Sequence, residues 1–194
     1  PCHAAGAPVQ DMVGTRSITR IPRDSPVSAL VFPLAGAMEA AEKDEVIAVA
    51  SDHGGYALKR ILAAMLSEKG YQVLDLGTDS PESVDYPDYA QAMADAIESG
   101  RARRGVLLCG TGIGVGIAAN RNPAIRAAVC HDVATARLSR QHNDANVLAM
   151  GGRVLDAETA GACLQAFLET PFQNGGRHQR RVAKLGLVAS HSNL

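Results

Sequence analysis

The most reactive side chain in a suggestive setting is Cys109, followed by glycines at 110, 112, 114 and 116. Glycine lets successive backbone N–H groups converge on one anion, and a helix starting behind them adds its positive end. A thiol beside a helix N-terminus can have a lowered pKa. The same amides can stabilise an oxyanion. A base next to an oxyanion hole is what proton abstraction beside a carbonyl requires. Taken alone, a cysteine ending a strand is more often a small packing residue, so its company matters. His142-Asn143 offers a group that titrates near neutrality. Arg177 and Arg181, in Gly175-Gly176-Arg177-His178-Gln179-Arg180-Arg181, share a helical face at i and i+4. Two guanidinium groups so placed can grip a phosphate, although the spacing alone fits a solvated basic face equally well. Asp52-His53 supplies another polar pair beside glycines.

The glycines also admit a second chemistry. Gly114-Val115-Gly116-Ile117-Ala118-Ala119 matches the G-x-G-x-x-A pattern of dinucleotide binding, and Asp132, 18 residues after Gly114, imitates the ribose-binding carboxylate. The register is unfavourable, because Gly110 and Gly112 already occupy the first turn after the strand. A nucleotide-dependent oxidoreductase stays open on this evidence.

The elements that must position these residues follow from hydrophobic period. Apolar, partly β-branched runs at 46–50, 72–76, 106–109, 126–130 and 146–150 read as strands. Between them, 56–69, Pro87 to Ser99, a stretch through Asn120 and 133–141 read as helices, and two more close the chain near 157–168 and 177–187. Leu58, Ile61, Leu62, Met65 and Leu66 fall on one helical face, while Gly70 and Gly100 supply stops. Strands alternating with helices predict an α/β fold: a doubly wound, parallel five-stranded sheet in a Rossmann-like α/β/α sandwich. Such folds bind ligands at the carboxyl ends of strands. Asp52-His53, Cys109 with its glycines, His131-Asp132 and Gly151-Gly152-Arg153 all follow strands.

Composition bounds the function classes. A net charge of −1, from 19 basic and 20 acidic side chains, provides no global field for nucleic acid or anionic lipid. Aromatics at 4% and the absence of Trp argue against base-stacking platforms. Cys2, Cys109, Cys130 and Cys163 form neither a C-x-x-C pair nor a zinc pattern with His, and scattered thiols fit a reducing cytoplasm. No apolar run reaches the roughly 18 residues of a membrane span. Residues 1–45 read as a largely unstructured N-terminal extension ahead of a domain at 46–190. Within it Arg16, Arg20 and Arg23 precede an apolar stretch ending in Ala35-Gly36-Ala37, which mimics a secretory signal or, more weakly, a transit peptide. The plainer reading is upstream sequence before Met38.

Taken together, Ser51-Asp52-His53-Gly54-Gly55, Asp85-Tyr86-Pro87, Cys109-Gly110-Thr111-Gly112-Ile113-Gly114, Ser139-Arg140-Gln141-His142-Asn143-Asp144 through Asn146-Val147-Leu148, and Gly175-Gly176-Arg177-His178-Gln179 resemble the ribose-5-phosphate isomerase B family, which includes galactose-6-phosphate isomerase subunits. The resemblance implies an aldose–ketose isomerisation of a sugar phosphate without metal or organic cofactor. The Cys matching Cys109 would move the proton and the His matching His142 would assist ring opening. The amides of Gly110, Thr111, Gly112, Ile113 and Gly114 would hold the enediolate, with the Thr111 side chain supporting the loop. Asp52, His53, Tyr86, Asn143 and Arg153 match substrate-contacting positions, and Arg177 and Arg181 match phosphate ligands. The resemblance further implies a homodimer or homotetramer with sites completed across the subunit interface. Some relatives use a carboxylate elsewhere in the glycine loop and lack the Cys; here Ile113, Val115 and Ile117 leave no acid in that loop. The implied substrate is ribose 5-phosphate, with a six-carbon sugar phosphate (galactose or allose 6-phosphate) as alternative. A non-catalytic sugar-phosphate-binding module is the rival outside enzymology.

Overall fold

The computed structural model describes residues 43–188. Within them the elements run β1 (Lys43–Ser51), α1 (Tyr56–Glu68), β2 (Tyr71–Asp75), α2 (Tyr86–Glu98), β3 (Arg104–Cys109), α3 (Ile113–Ala119), β4 (Ala127–Val129), α4 (Val133–Asn143), β5 (Val147–Gly151), α5 (Ala157–Glu169) and α6 (Gly176–Val188). The expected alternation holds throughout. The largest boundary difference is at β1, which starts at Lys43, and β4 is confined to three residues. Arg126 and Cys130 flank β4, although the Cys130 amide still donates to the Ala149 carbonyl. The expected extension lies, up to residue 42, outside the described residues.

The five strands form one parallel sheet in the order β2-β1-β3-β5-β4. Alternation along each strand divides its side chains between two cores. Ile47 and Val49, with Val106, Leu108, Leu148 and Met150, pack against Leu62 and Leu66 of α1, Ala136 of α4 and Phe167 of α5. Ala48, Ala50, Leu107 and Ala149 point the other way, toward Met93 of α2 and Val115 of α3. Strands buried on both faces are therefore almost wholly apolar, as parallel sheets require. Each fully buried Leu, Ile or Phe contributes about 1.5–3 kcal/mol; Phe167→Ala would cost about 3–5 kcal/mol.

The strand order has one functional consequence. From β1 the chain moves to β2 on one side and returns to β3 on the other. The winding reverses between β1 and β3, and a crevice opens at their carboxyl ends. Ser51 and Cys109 end those two strands. At the neighbouring β2 exit, the buried Lys59 ammonium lies 2.7 Å from both carboxylate oxygens of Asp75, which also accepts from the Gly77 amide. No helix among the described residues is long and apolar enough to cross a membrane.

Candidate active site

At the exit of β3 the chain turns sharply into α3. Gly112 makes that turn at φ 81° and ψ −16°, a left-handed conformation that glycine adopts without steric cost. The turn aims the Gly112 N–H back at Cys109, whose Sγ accepts it at 3.1 Å. Thr111 is exposed, and its Oγ1 accepts from the Ile113 amide at 3.3 Å. Ile113, the first residue of α3, is 53% exposed.

Glycines then bring three loops into backbone contact. A Cβ on Gly54 would stand 2.8 Å from the Gly110 nitrogen; one on Gly151, 2.7 Å from the Thr111 carbonyl carbon; one on Gly152, 2.7 Å from the Gly54 carbonyl oxygen. The loops after β1, β3 and β5 therefore interlock without side chains between them. Hydrogen bonds reinforce the contact: the Asp52 amide donates to Leu108 O, the Gly152 amide to Cys109 O and the Arg153 amide to Gly110 O. Asp52 is buried, and its Oδ1 accepts from the Gly55 amide at 3.1 Å. His53 Nδ1 accepts from the Val84 amide at 3.2 Å. The Arg153 side chain runs beside Gly110, and the Tyr86 ring lies over Gly114, where an added Cβ would stand 2.9 Å from Cζ. Asp52, His53, Tyr86, Cys109, the loop 110–114 and Arg153 thus share one end of the molecule.

The other expected residues assemble elsewhere. His142 and Asn143 close α4, which ends at Asp144 in the left-handed region (φ 45°). Asp144 is held there by Arg126 and Arg140, each at 2.8 Å. The rings of His142 and His178 stack with centroids 4.3 Å apart, and Arg177 Nε donates to His178 Nε2 at 3.3 Å. The His178 imidazole is pushed below its ordinary value by desolvation, then by the neighbouring His142, Arg177 and Arg181 charges. Asn143 is exposed and lines a cavity of about 700 Å³ with Arg121, Arg126 and Val182. This group lies at the amino edge of the sheet, because Asn143 leads into β5 at Val147 whereas Gly151, at the other end of that strand, touches Thr111. The strand between spans roughly 13 Å at about 3.3 Å per residue. One chain does not bring His142, Asn143, Arg177 and Arg181 to Cys109.

The described cysteines differ in kind. Burial pushes the Cys130 thiol up, and the Cys163 thiol up to about 11, with Cys130 and Asp132 adding to the latter. Neither has an N–H group directed at its sulfur, as Cys109 has from Gly112. The dinucleotide pattern loses its basis, because Gly114 and Gly116 lie within α3 and not in the turn before it. Asp132 caps α4, its Oδ1 accepting from the Thr135 amide at 2.8 Å.

The model of the ribose/galactose isomerase family matches residues 47–185. The chain belongs to that family. Ribose-5-phosphate isomerase B of Escherichia coli is 46% identical over 147 residues, which cover 76% of this chain and 98% of that protein. A D-erythrulose-4-phosphate isomerase of Pectobacterium atrosepticum is 42% identical, covering 72% of this chain and 92% of its own length. The solved structure of Clostridium thermocellum ribose-5-phosphate isomerase B superposes with a TM-score of 0.73 at 50% identity, covering 75% of this chain and 97% of that one. The chain is accordingly an enzyme, an isomerase of the kind its sequence resembles, on the expected Rossmann-like parallel sheet.

Sequence reasoning missed the Val84 amide, which reaches His53 from 31 residues away. No side-chain pattern announces a backbone donor. It also missed Gly151 and Gly152 as the surface against which the thiol loop rests. Two consecutive glycines after a strand were their one available signal.

Proposed function

We propose that the protein interconverts ribose 5-phosphate and ribulose 5-phosphate through an enediolate, with Cys109 as the base. The supporting observation is the Gly112 amide donating to Cys109 Sγ at the crevice between β1 and β3. In the open-chain aldose the sulfur takes the proton from C2, the electron pair moves to the carbonyl, and O1 gains a proton. Return of a proton to C1, with loss of the proton on O2, yields the ketose. Because the Gly112 N–H is engaged by sulfur, the enediolate oxygens draw on other amides of the 110–114 loop. Asp52, His53, Tyr86 and Arg153 line the same cleft and contact the sugar.

The phosphate grip by Arg177 and Arg181, and ring opening by His142 beside Asn143, come from a second copy of the chain. Two features support this. None of the described α6 side chains is buried, and Ile113, Ile117 and Val129 leave an exposed apolar face beside the glycine loop. The free thiols at Cys109, Cys130 and Cys163 suit a reducing cytoplasm. The test mixes two variants, Cys109→Ala and Arg177→Ala, at a substrate concentration far below the KM of the latter, where each alone turns over little. Co-refolded mixtures regain turnover at that concentration if each site draws on two chains and gain nothing if it does not.

Substrate length is a second question, because relatives act on sugar phosphates of different size. Coupled assays with four-, five- and six-carbon phosphates side by side decide it. The highest kcat/KM on ribose 5-phosphate is expected, and a preference for another length overturns that assignment.

A further inference from the structure

His53 stands in the thiol cluster, yet its ring is oriented from outside the loop that carries it. Nδ1 faces the backbone nitrogen of Val84, on the connection between β2 and α2, at 3.2 Å. A backbone N–H only donates, so Nδ1 must present its lone pair. A neutral imidazole carries one ring proton, which then resides on Nε2. Moving it to Nδ1 would set two N–H groups against each other.

The connection is itself tied down. Near its start the Leu76 amide donates to Val49 O and the Thr78 amide to Ser51 O. At its end the Asp85 carbonyl accepts from the Asp88 amide in the first turn of α2, and the Tyr86 ring rests on Gly114. Residues 84–86 therefore touch both the His53 loop and the glycine loop. Neither contact appears as a motif in the sequence.

We infer that His53 meets the substrate as a fixed Nε2–H donor and not as a base, and that the Val84 amide is the positioning group that sets this orientation. A base here would need a lone pair at Nε2, where the proton is held. A fixed donor suits an anionic or hydroxyl oxygen of the sugar phosphate and leaves proton removal to other groups. The donor role rests on the proposed isomerase reading; the tautomer does not.

Protein labelled with ¹⁵N-histidine tests the tautomer by long-range ¹H–¹⁵N correlation, at a pH where imidazoles are neutral. The His53 signals are assigned by their loss in His53→Gln. A lone-pair-bearing Nδ1 and a protonated Nε2 are expected. An Nδ1–H tautomer, or a mixture of the two, overturns the inference. Val84→Ala, which keeps the N–H, should leave the spectrum unchanged, whereas folded Val84→Pro, which lacks it, should admit the second tautomer. An unaltered tautomer in folded Val84→Pro removes Val84 from the account. The kinetic arm compares His53→Gln with His53→Asn, because the glutamine amide reaches the place of Nε2 and the asparagine amide that of Nδ1. His53→Asn should lose about 10- to 150-fold in kcat/KM, the value of one charge-assisted hydrogen bond, and His53→Gln should keep most of the activity. Equal losses in both overturn the donor role. Should ribose 5-phosphate prove not to be the substrate, the spectra still decide the tautomer.

Discussion

The two ends of the sheet carry expected site residues on opposite kinds of support. At the carboxyl edge, Cys109 lies on a turn wedged between two other loops by backbone contacts near 2.7 Å from any added Cβ, and its neighbours Asp52 and Ser51 are buried. At the amino edge, Arg177 and Arg181 project from α6, a helix with no buried side chain among those described. It reaches the domain through a ring stack on His142 and the Gln173 amide donating to Gln141 O. The first arrangement suits groups that must stay fixed relative to a reacting carbon. The second suits long cationic side chains that close on a phosphate, and it leaves a helix face available to a partner. A thiol on a tightly packed loop and arginines on an exposed helix, on opposite edges, fit the proposal that each site combines one edge of one copy with the other edge of the next.

The strongest way to break this contrast is Cys109→Ala. It should abolish nearly all turnover while the fold and phosphate binding persist, and Cys109→Ser should behave alike, because a hydroxyl ionises far too weakly to replace a thiolate. Cys130→Ala should instead lose stability before turnover. The comparison is kcat of the folded variants; wild-type turnover in Cys109→Ala would show another base. Arg177→Ala comes next: KM for the phosphorylated substrate should rise about 10- to 150-fold, equivalent to roughly 1.5–3 kcal/mol, with kcat little changed. An unaltered KM would place Arg177 on a purely solvated face. Gly151→Ala tests the interlocked loops. Its Cβ would press on Thr111 backbone that has no flexible end to yield, so a loss of about 1–3 kcal/mol, with lower kcat, is expected by denaturant unfolding; full stability would mean the loops move apart freely.

Smaller effects belong to the amino edge and beyond it. The folded-state pKa of His178 is lowered, so below the ordinary value of 6.5 the unfolded chain binds the proton more readily. Stability is therefore lost as pH falls from above 6.5 through the lower folded value. His178→Gln should show a shallower decline in Tm between neutral pH and mildly acid pH than the wild type. Because the ring is only partly buried, the difference is small, and parallel curves would remove His178 from the pH response. Deletion of residues 1–37 should change neither Tm nor turnover; an insoluble or inactive truncation would assign that segment a role.

The sequence by itself determined the elements and their alternation, because period and glycine stops are local properties. Val46 to Ala50 reads as a buried strand and Leu58 to Leu66 as a one-sided helix without any knowledge of neighbours. It also put the candidate site residues at the exits of strands, since Cys109 ends one and Asp52 and Arg153 each follow one. Only the tertiary structure decided that β5 inserts between β3 and β4. That insertion brings Gly151 against Thr111 and Arg153 beside Gly110. It decided as well that His142 and Arg177 sit at the far edge from Cys109, and that Val84 orients His53. The reason is physical: side-chain pattern encodes which face of an element is buried, whereas neighbour choice and backbone donors depend on long-range packing that no residue type announces.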